Sequence, residues 1–309
     1  MKPDEWWQNF ALGVEVDISG TFIYNGIQRL DKLENLGAAT DIFEVLYNLS
    51  VGIERLLKVA IILIEYSDEL DIEAFERSLI SHNVMDLANR VDTVRSLSLS
   101  GVHKEFLSLL SKFYKTHRYG RFSLGSVPDI RAEKDDFLNY LEKHLKIETQ
   151  NHNEFFPVYN TDQIRKFVGK IVFKIAKSVF TVIGRQATEL NIYTDELRGD
   201  SKAIRVFYGE KLDFIEERIK KKELLLFLMH PDSTGSHIDL LRSFQALDLD
   251  PEMAPNYISA LINDTHLYEV EEEIDELYTE LDDISRRISF VEIMDNEYLS
   301  YDDEEDEEP

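Results

Sequence analysis

Apolar residues recur along most of this chain at intervals of three and four, the period of an amphipathic helix, and convincing alternating stretches are absent. The pattern predicts a first helix over residues 14–33 and a second from about 41 to 65. At the start of the second, Glu44 stands three residues after Asp41, the spacing of a capping box. Its centre, "NLSVGIERLLKVAIIL", is apolar on most sides, so it should be the buried middle helix of a bundle. Glu54 and Lys58 are four residues apart there and can pair along the helix. After a polar connector, "SHNVMDLANRV" predicts a short third helix capped by Ser81 or Asn83. A fourth follows Gly101, with Val102, Phe106, Leu109, Leu110 and Phe113 on one stripe. "KDDFLNYLEKHL" predicts a fifth helix, and "ETQNHNEFFPVYN" reads as a linker.

A second helical region begins at Thr161. In "TDQIRKFVGKIVFKIAKSVFTVIGR", Ile164, Phe167, Val168, Ile171, Ile175 and Val179 form one face. Lys166, Lys170, Lys174 and Lys177 form a basic stripe that reads as a solvated face or a nucleic-acid groove. Further helices are predicted around 212–229, 237–247 and 251–262, the last with Pro251 after Asp250 in its first turn. A long acidic helix is expected over 268–294. The predicted fold class is therefore all-α. A helical bundle spans residues 1–155, a second helical region spans 156–298, and a disordered acidic tail covers 299–309.

Charge sharpens this division. The 309 residues carry a net charge of -26, with 60 acids against 34 bases. From Glu269 onward there are 19 acids and only Arg286 and Arg287, so that segment alone carries -17. Such a balance opposes non-specific attraction to nucleic acid but leaves room for a local basic cleft, and it suits a basic protein partner. The chain has no cysteine, which excludes disulfides, thiolate catalysis and cysteine-based zinc sites. It begins "MKPDEWWQNF", with acids where an export leader needs positive charge, and its longest aliphatic run, "VAIILI", is too short to cross a bilayer. A cytoplasmic protein without membrane contact is the expectation.

Against this acidic background, "LLSKFYKTHRYGRFSL" concentrates Lys112, Lys115, His117, Arg118 and Arg121 among Phe113, Tyr114, Tyr119 and Phe122 at the predicted end of the fourth helix. Cations at a helix C-terminus are favoured by its dipole, which is one reading. The other is a cleft for RNA or a nucleotide, with His117, Arg118, Arg121 and Lys112 as candidate catalytic residues. In "LMHPDSTGSHID", His230, Asp232, His237 and Asp239 either cap the following helix or hold a divalent ion. No phosphate loop, dinucleotide fingerprint or paired-histidine zinc helix is present, and no cofactor is expected.

The succession "YNLSVGIERLLKVAIIL", "SHNVMDLANRV" and a helix ending "FYKTHRYGRF" resembles HEPN domains (higher eukaryotes and prokaryotes nucleotide-binding), over roughly residues 14–145. The resemblance implies a small helical bundle of the kind found in prokaryotic antiviral and toxin systems. It also implies a metal-independent ribonuclease, or an RNA-binding relative, that forms its cleft as a homodimer. The family motif is an Arg followed, a few residues later, by a His at the fourth-helix end. An imidazole suits removal of a 2′-hydroxyl proton near neutral pH, and a guanidinium suits the charge that develops on phosphate. Here the simplest register puts Tyr114 at the Arg position, Lys115 at the polar one and Tyr119 at the His. A shifted register gives Lys112 and His117. A literal match, Arg77 to His82, falls at the start of the third helix and reads as coincidence. The alternative to an enzyme is a non-catalytic interaction or regulatory subunit. Tyr114, Tyr119 and Phe122, left wet in a monomer, would be covered by a two-fold interface.

Overall fold

The computed structural model describes residues 11–67, 69, 71–114, 131–147, 157–192, 201–264, 268–292 and 294, the side chains of Ser236 and Phe290 excepted. Among them the fold is all-α, with no strand and a single isolated bridge between Asn35 and Tyr159. No described helix is long and apolar enough to cross a membrane. The chain divides into two compact units, Met1–Phe214 and Ile215–Pro309.

The first unit is built around the helix whose centre is apolar on most sides. That helix, α2 (Ala39–Glu65), packs against α1 (Leu12–Lys32), α4 (Val84–Val94), α5 (Gly101–Lys112), α6 (Ala132–Leu145) and α7 (Asp162–Glu189). Two short helices complete the unit: α3 (Ile72–Ser78) lies within the expected polar connector, and α8 (Lys202–Phe207) packs on α1 and α7. Close approach of the helices in this unit rests on glycine. A Cβ on Gly52 would stand 2.9 Å from the Ser19 carbonyl oxygen, and one on Gly20 would stand 2.4 Å from the Ala203 Cβ.

Caps follow the sequence in several places. Asn83 accepts from the Asp86 amide and Thr161 from the Ile164 amide, each satisfying an orphan donor of the first turn. The expected capping box at the start of α2 does not form. Both of its carboxylates are taken by Arg29 of α1, at 2.6 Å for Asp41 and 2.8 Å for Glu44. A guanidinium fork holding two acids outcompetes a backbone cap here.

The expected domain boundary at 155/156 is displaced. The apolar face of α7 (Ile164, Val168, Ile171, Ile175 and Val179) is buried, and α7 packs on α1, α2 and α5. Its entry is tied to the end of α1: Asn160, itself buried, donates to the carbonyls of Leu30 and Leu33, and Arg165 also donates to Leu33. A helix with so wide an apolar face needs a core, and the first unit supplies it.

The second unit contains α9 (Ile215–Met229), α10 (Ser236–Ser243), α11 (Ala254–Asn263), α12 (Tyr268–Thr279) and α13 (Ile284–Val291). Asp250 accepts from the Glu252 amide and leads Pro251 into a 3₁₀ turn before α11, as the sequence suggests. The single acidic helix expected over 268–294 is two helices. Asp283 accepts from the Arg286 amide and so begins a new one, α13. The expected acidic tail, 299–309, lies outside the described residues.

Candidate functional site

α5, the fourth of the sequence-predicted helices, passes into a wider π turn at Phe113 and Tyr114. Such turns re-aim side chains and recur at functional sites. Beyond it His117, Arg118 and Arg121, with Tyr119 and Phe122, lie outside the described residues. Lys112 is described. Its ammonium pairs with Asp136 of α6 at 2.6 Å on an exposed surface. Tyr114, two residues on, points to nearly the opposite side of the helix and is buried. The expectation that Tyr114 stays wet in a monomer is thus corrected, because it is covered within the chain itself.

What covers Tyr114 is His82. The two rings stack with centroids 4.3 Å apart and planes 23° apart. The His82 Nδ1 lies 3.2 Å from both carboxylate oxygens of Glu54, and the Lys58 ammonium lies 2.6 Å from one of them. Glu54 sits on the buried side of α2 with its side chain only 9% exposed, whereas the His82 ring is 43% exposed. A carboxylate only accepts, so Nδ1 carries the proton. In the neutral tautomer that makes this bond, Nε2 is the nitrogen left with a lone pair, on the opposite edge of the ring. Lys58 balances the buried carboxylate, which would otherwise be costly to desolvate. The result is an oriented imidazole held between a charged pair and an aromatic face, at the point where the chain enters "KTHRYGRF".

Sequence reasoning singled out each of these groups separately. Glu54 and Lys58 appeared as a pair within the helix, Tyr114 as an aromatic of the basic-aromatic stretch, and His82 as half of an Arg-to-His spacing that read as coincidence. The fold brings three of them together with His82. Arg77 is not drawn in, since it is exposed and lies 3.7 Å from Glu73 on its own helix. The available signal was a lone acid on the core side of an apolar helix, which needs a partner from elsewhere in the chain.

Two other constellations are less suited to chemistry. Between α5 and α6 an open groove of about 480 Å³ is lined by Glu105, Ser108, Lys112, Asp136, Tyr140 and Lys143. Its charges largely cancel. Lys143 and His144 bond Glu105 at 2.8 and 2.9 Å and hold its carboxyl below the usual range. In the second unit, His237 bonds the Met294 carbonyl while His230 lies 3.8 Å from Asp232. Among the described residues no group of three or more His, Asp or Glu could hold a metal ion. No family model, curated protein or solved structure matches the chain.

Proposed function

We propose that the chain is an RNA-directed effector of the prokaryotic defence or toxin type, and that its first unit cleaves phosphodiesters without a metal at the end of α5. One observation supports this reading above the others. The Glu54 carboxylate holds His82 through Nδ1 and so orients the ring with Nε2 as the nitrogen that, in the neutral tautomer, can act as a general base. His82 Nε2 takes the proton of a ribose 2′-hydroxyl, and the resulting oxygen attacks the adjacent phosphorus. The P–O5′ bond breaks, leaving a 2′,3′-cyclic phosphate and, once a proton is supplied by His117, a 5′-hydroxyl. Arg118 and Arg121 offset the charge on the phosphorane oxygens. His117, Arg118 and Arg121 enter on sequence alone.

The test is cleavage of mixed cellular RNA in EDTA by the full chain. His82→Ala should lower the rate at least tenfold, on the scale of a lost acid–base group. Glu54→Gln should lower it less, because the ring keeps a neighbour but loses its charged orienter. His117→Ala and Arg118→Ala should each cost a similar factor. Undiminished cleavage in both His82→Ala and His117→Ala would remove the catalytic reading. The homodimer belongs to the same reading, and light scattering across a dilution series tests it.

A non-catalytic interaction subunit is the second reading, and a different observation favours it. Leu224, Leu226, Phe227, Leu228 and Met229 at the end of α9 are all exposed. A helix apolar on every side is normally covered. A basic protein partner would meet the unit that carries most of the net negative charge. Binding without RNA cleavage by the wild-type chain would select this reading.

A further inference from the structure

α7 presents a face whose charge runs against that of the whole molecule. Between Asp162 and Glu189, its first and last residues, there is no acid at all, in a chain with 60 of them. Over the same stretch it carries Arg165, Lys166, Lys170, Lys174, Lys177 and Arg185. At about 100° per residue, Lys166, Lys170, Lys174, Lys177 and Arg185 fall within one narrow arc, opposite the buried face. Lys166, Lys170, Lys174 and Arg185 are exposed.

Most other described bases of the first unit are occupied. Arg29, Arg55, Lys58, Arg90, Arg95, Lys104, Lys112 and Lys143 each have a carboxylate partner. Arg165 turns inward to Leu33 and Asp162, and Lys177 donates to the Phe207 carbonyl while lying 5.6 Å over the Phe173 ring. The exposed lysines of the arc have no ion-pair partner among the described residues, and their field reaches a neighbour: Lys174 is one of the causes that hold His103 of α5 below its ordinary value. Consecutive members of the Lys166–Lys170–Lys174 series are about 6 Å apart along the axis. Half-buried Phe167 and Phe173 border the arc.

We infer that this arc of α7 is a binding track for the sugar–phosphate backbone of single-stranded RNA. Three ammonium groups in line, with no acid between them and aromatic rings at the margin, match a regularly charged strand with unstacked bases. An acidic protein segment presents carboxylates on flexible stems and lacks that regular spacing. The track rests on the RNA reading of the first unit but is separate from its chemistry. Binding here is set by α7, and cleavage by His82.

The experiment is fluorescence anisotropy of a labelled 20-nucleotide 2′-O-methyl oligouridylate, which has no 2′-hydroxyl to cleave through, with the full chain, in EDTA, over a salt series. The triple variant Lys166→Ala, Lys170→Ala, Lys174→Ala should bind at least tenfold more weakly at low salt. The slope of log affinity against log salt should become shallower by about 2, roughly 0.7 for each phosphate of a single strand that is no longer neutralised. Alanine at exposed helical sites favours the helix, and an unchanged circular dichroism spectrum verifies that the variant folds. Wild-type affinity and slope in the triple variant would overturn the track even if His82→Ala stops cleavage. Loss of binding in the triple variant would uphold the track even if His82→Ala still cleaves. A wild-type chain that ignores the oligonucleotide, or releases it as readily to polyglutamate as to unlabelled RNA, would also overturn it.

Discussion

α7 in the first unit and α9 in the second both mix lysines with aliphatic residues, but they sort them differently. α7 sorts by face: lysines at 166, 170 and 174 lie across the helix from Ile164, Val168, Ile171 and Ile175. α9 sorts by position along the chain: "IEERIKKKE" is followed by "LLLFLM", so its last six residues are apolar on every side. The consequence is visible in burial. α7 contributes a continuous buried face to the core of the first unit, whereas α9 buries no residue and packs against α11. Of the buried apolar side chains described, only Ile262 and Val270 belong to the second unit. Periodicity, more than apolar content, decides which helix joins a core. The second unit holds 28 acids and 7 bases, so it carries -21 of the net -26 and its like charges oppose compaction further.

The largest expected effect sets these two helices against each other. Ile175→Ala removes a fully buried side chain and should cost roughly 2–5 kcal/mol. Leu226→Ala removes one that is 63% exposed and should stay within about 0.5 kcal/mol. Denaturant unfolding followed by circular dichroism measures both. Equal losses would mean that α9 is as tightly packed as α7, and the contrast would collapse.

Next in size is the device that places α7 in the first unit. Asn160→Ala leaves the Leu30 and Leu33 carbonyls without their buried amide donor. The cost should be roughly 1–3 kcal/mol, the scale of two lost hydrogen bonds at about 0.5–1.5 kcal/mol each, since Arg165 still donates to Leu33 and the Leu33 amide to Leu30. If α7 belonged to a separate domain, the first unfolding transition would not respond to this change, so its midpoint is the quantity to follow.

The contrast also explains what could be read from the chain in advance. α2 and α7 were legible because their apolar pattern keeps one period for more than twenty residues, and Asn83, Thr161 and Asp250 announce the turns they cap. The short helices α3 and α8 were not, since six or seven residues hold too little of a period to register. The break before α13 was hidden in a run of acids, where Asp283 looks like one more charge until its oxygen meets the Arg286 amide. The boundary at 155/156 failed for a physical reason. A polar stretch resembles a linker, but Asn160 at its end commits its amide to α1. His82 was legible only as a spacing, because its partners Glu54 and Tyr114 lie 28 residues before it and 32 after it.

The smallest expected effect probes the charge side of the comparison through His103. This imidazole is held below 6.5, first by burial and then by the Lys174 ammonium, while its contact with Ser100 pulls the other way. As pH falls through 6.5 the unfolded chain takes up a proton before the folded one does. Stability should therefore be level above that point and decline below it, until the folded ring protonates in turn. Lys174→Ala removes the second cause but leaves the first. The His103 titration, followed by NMR of the ring protons, should then move upward but stay below 6.5, and the decline in stability should become shallower. Added salt should shift the wild type in the same direction, because the lysine acts across a partly solvated gap, and should shift Lys174→Ala less. A titration that ignores both the substitution and the salt would mean that α7 exerts no unbalanced field on α5. The basic face would then be a solvated surface, neutralised like the rest of the first unit.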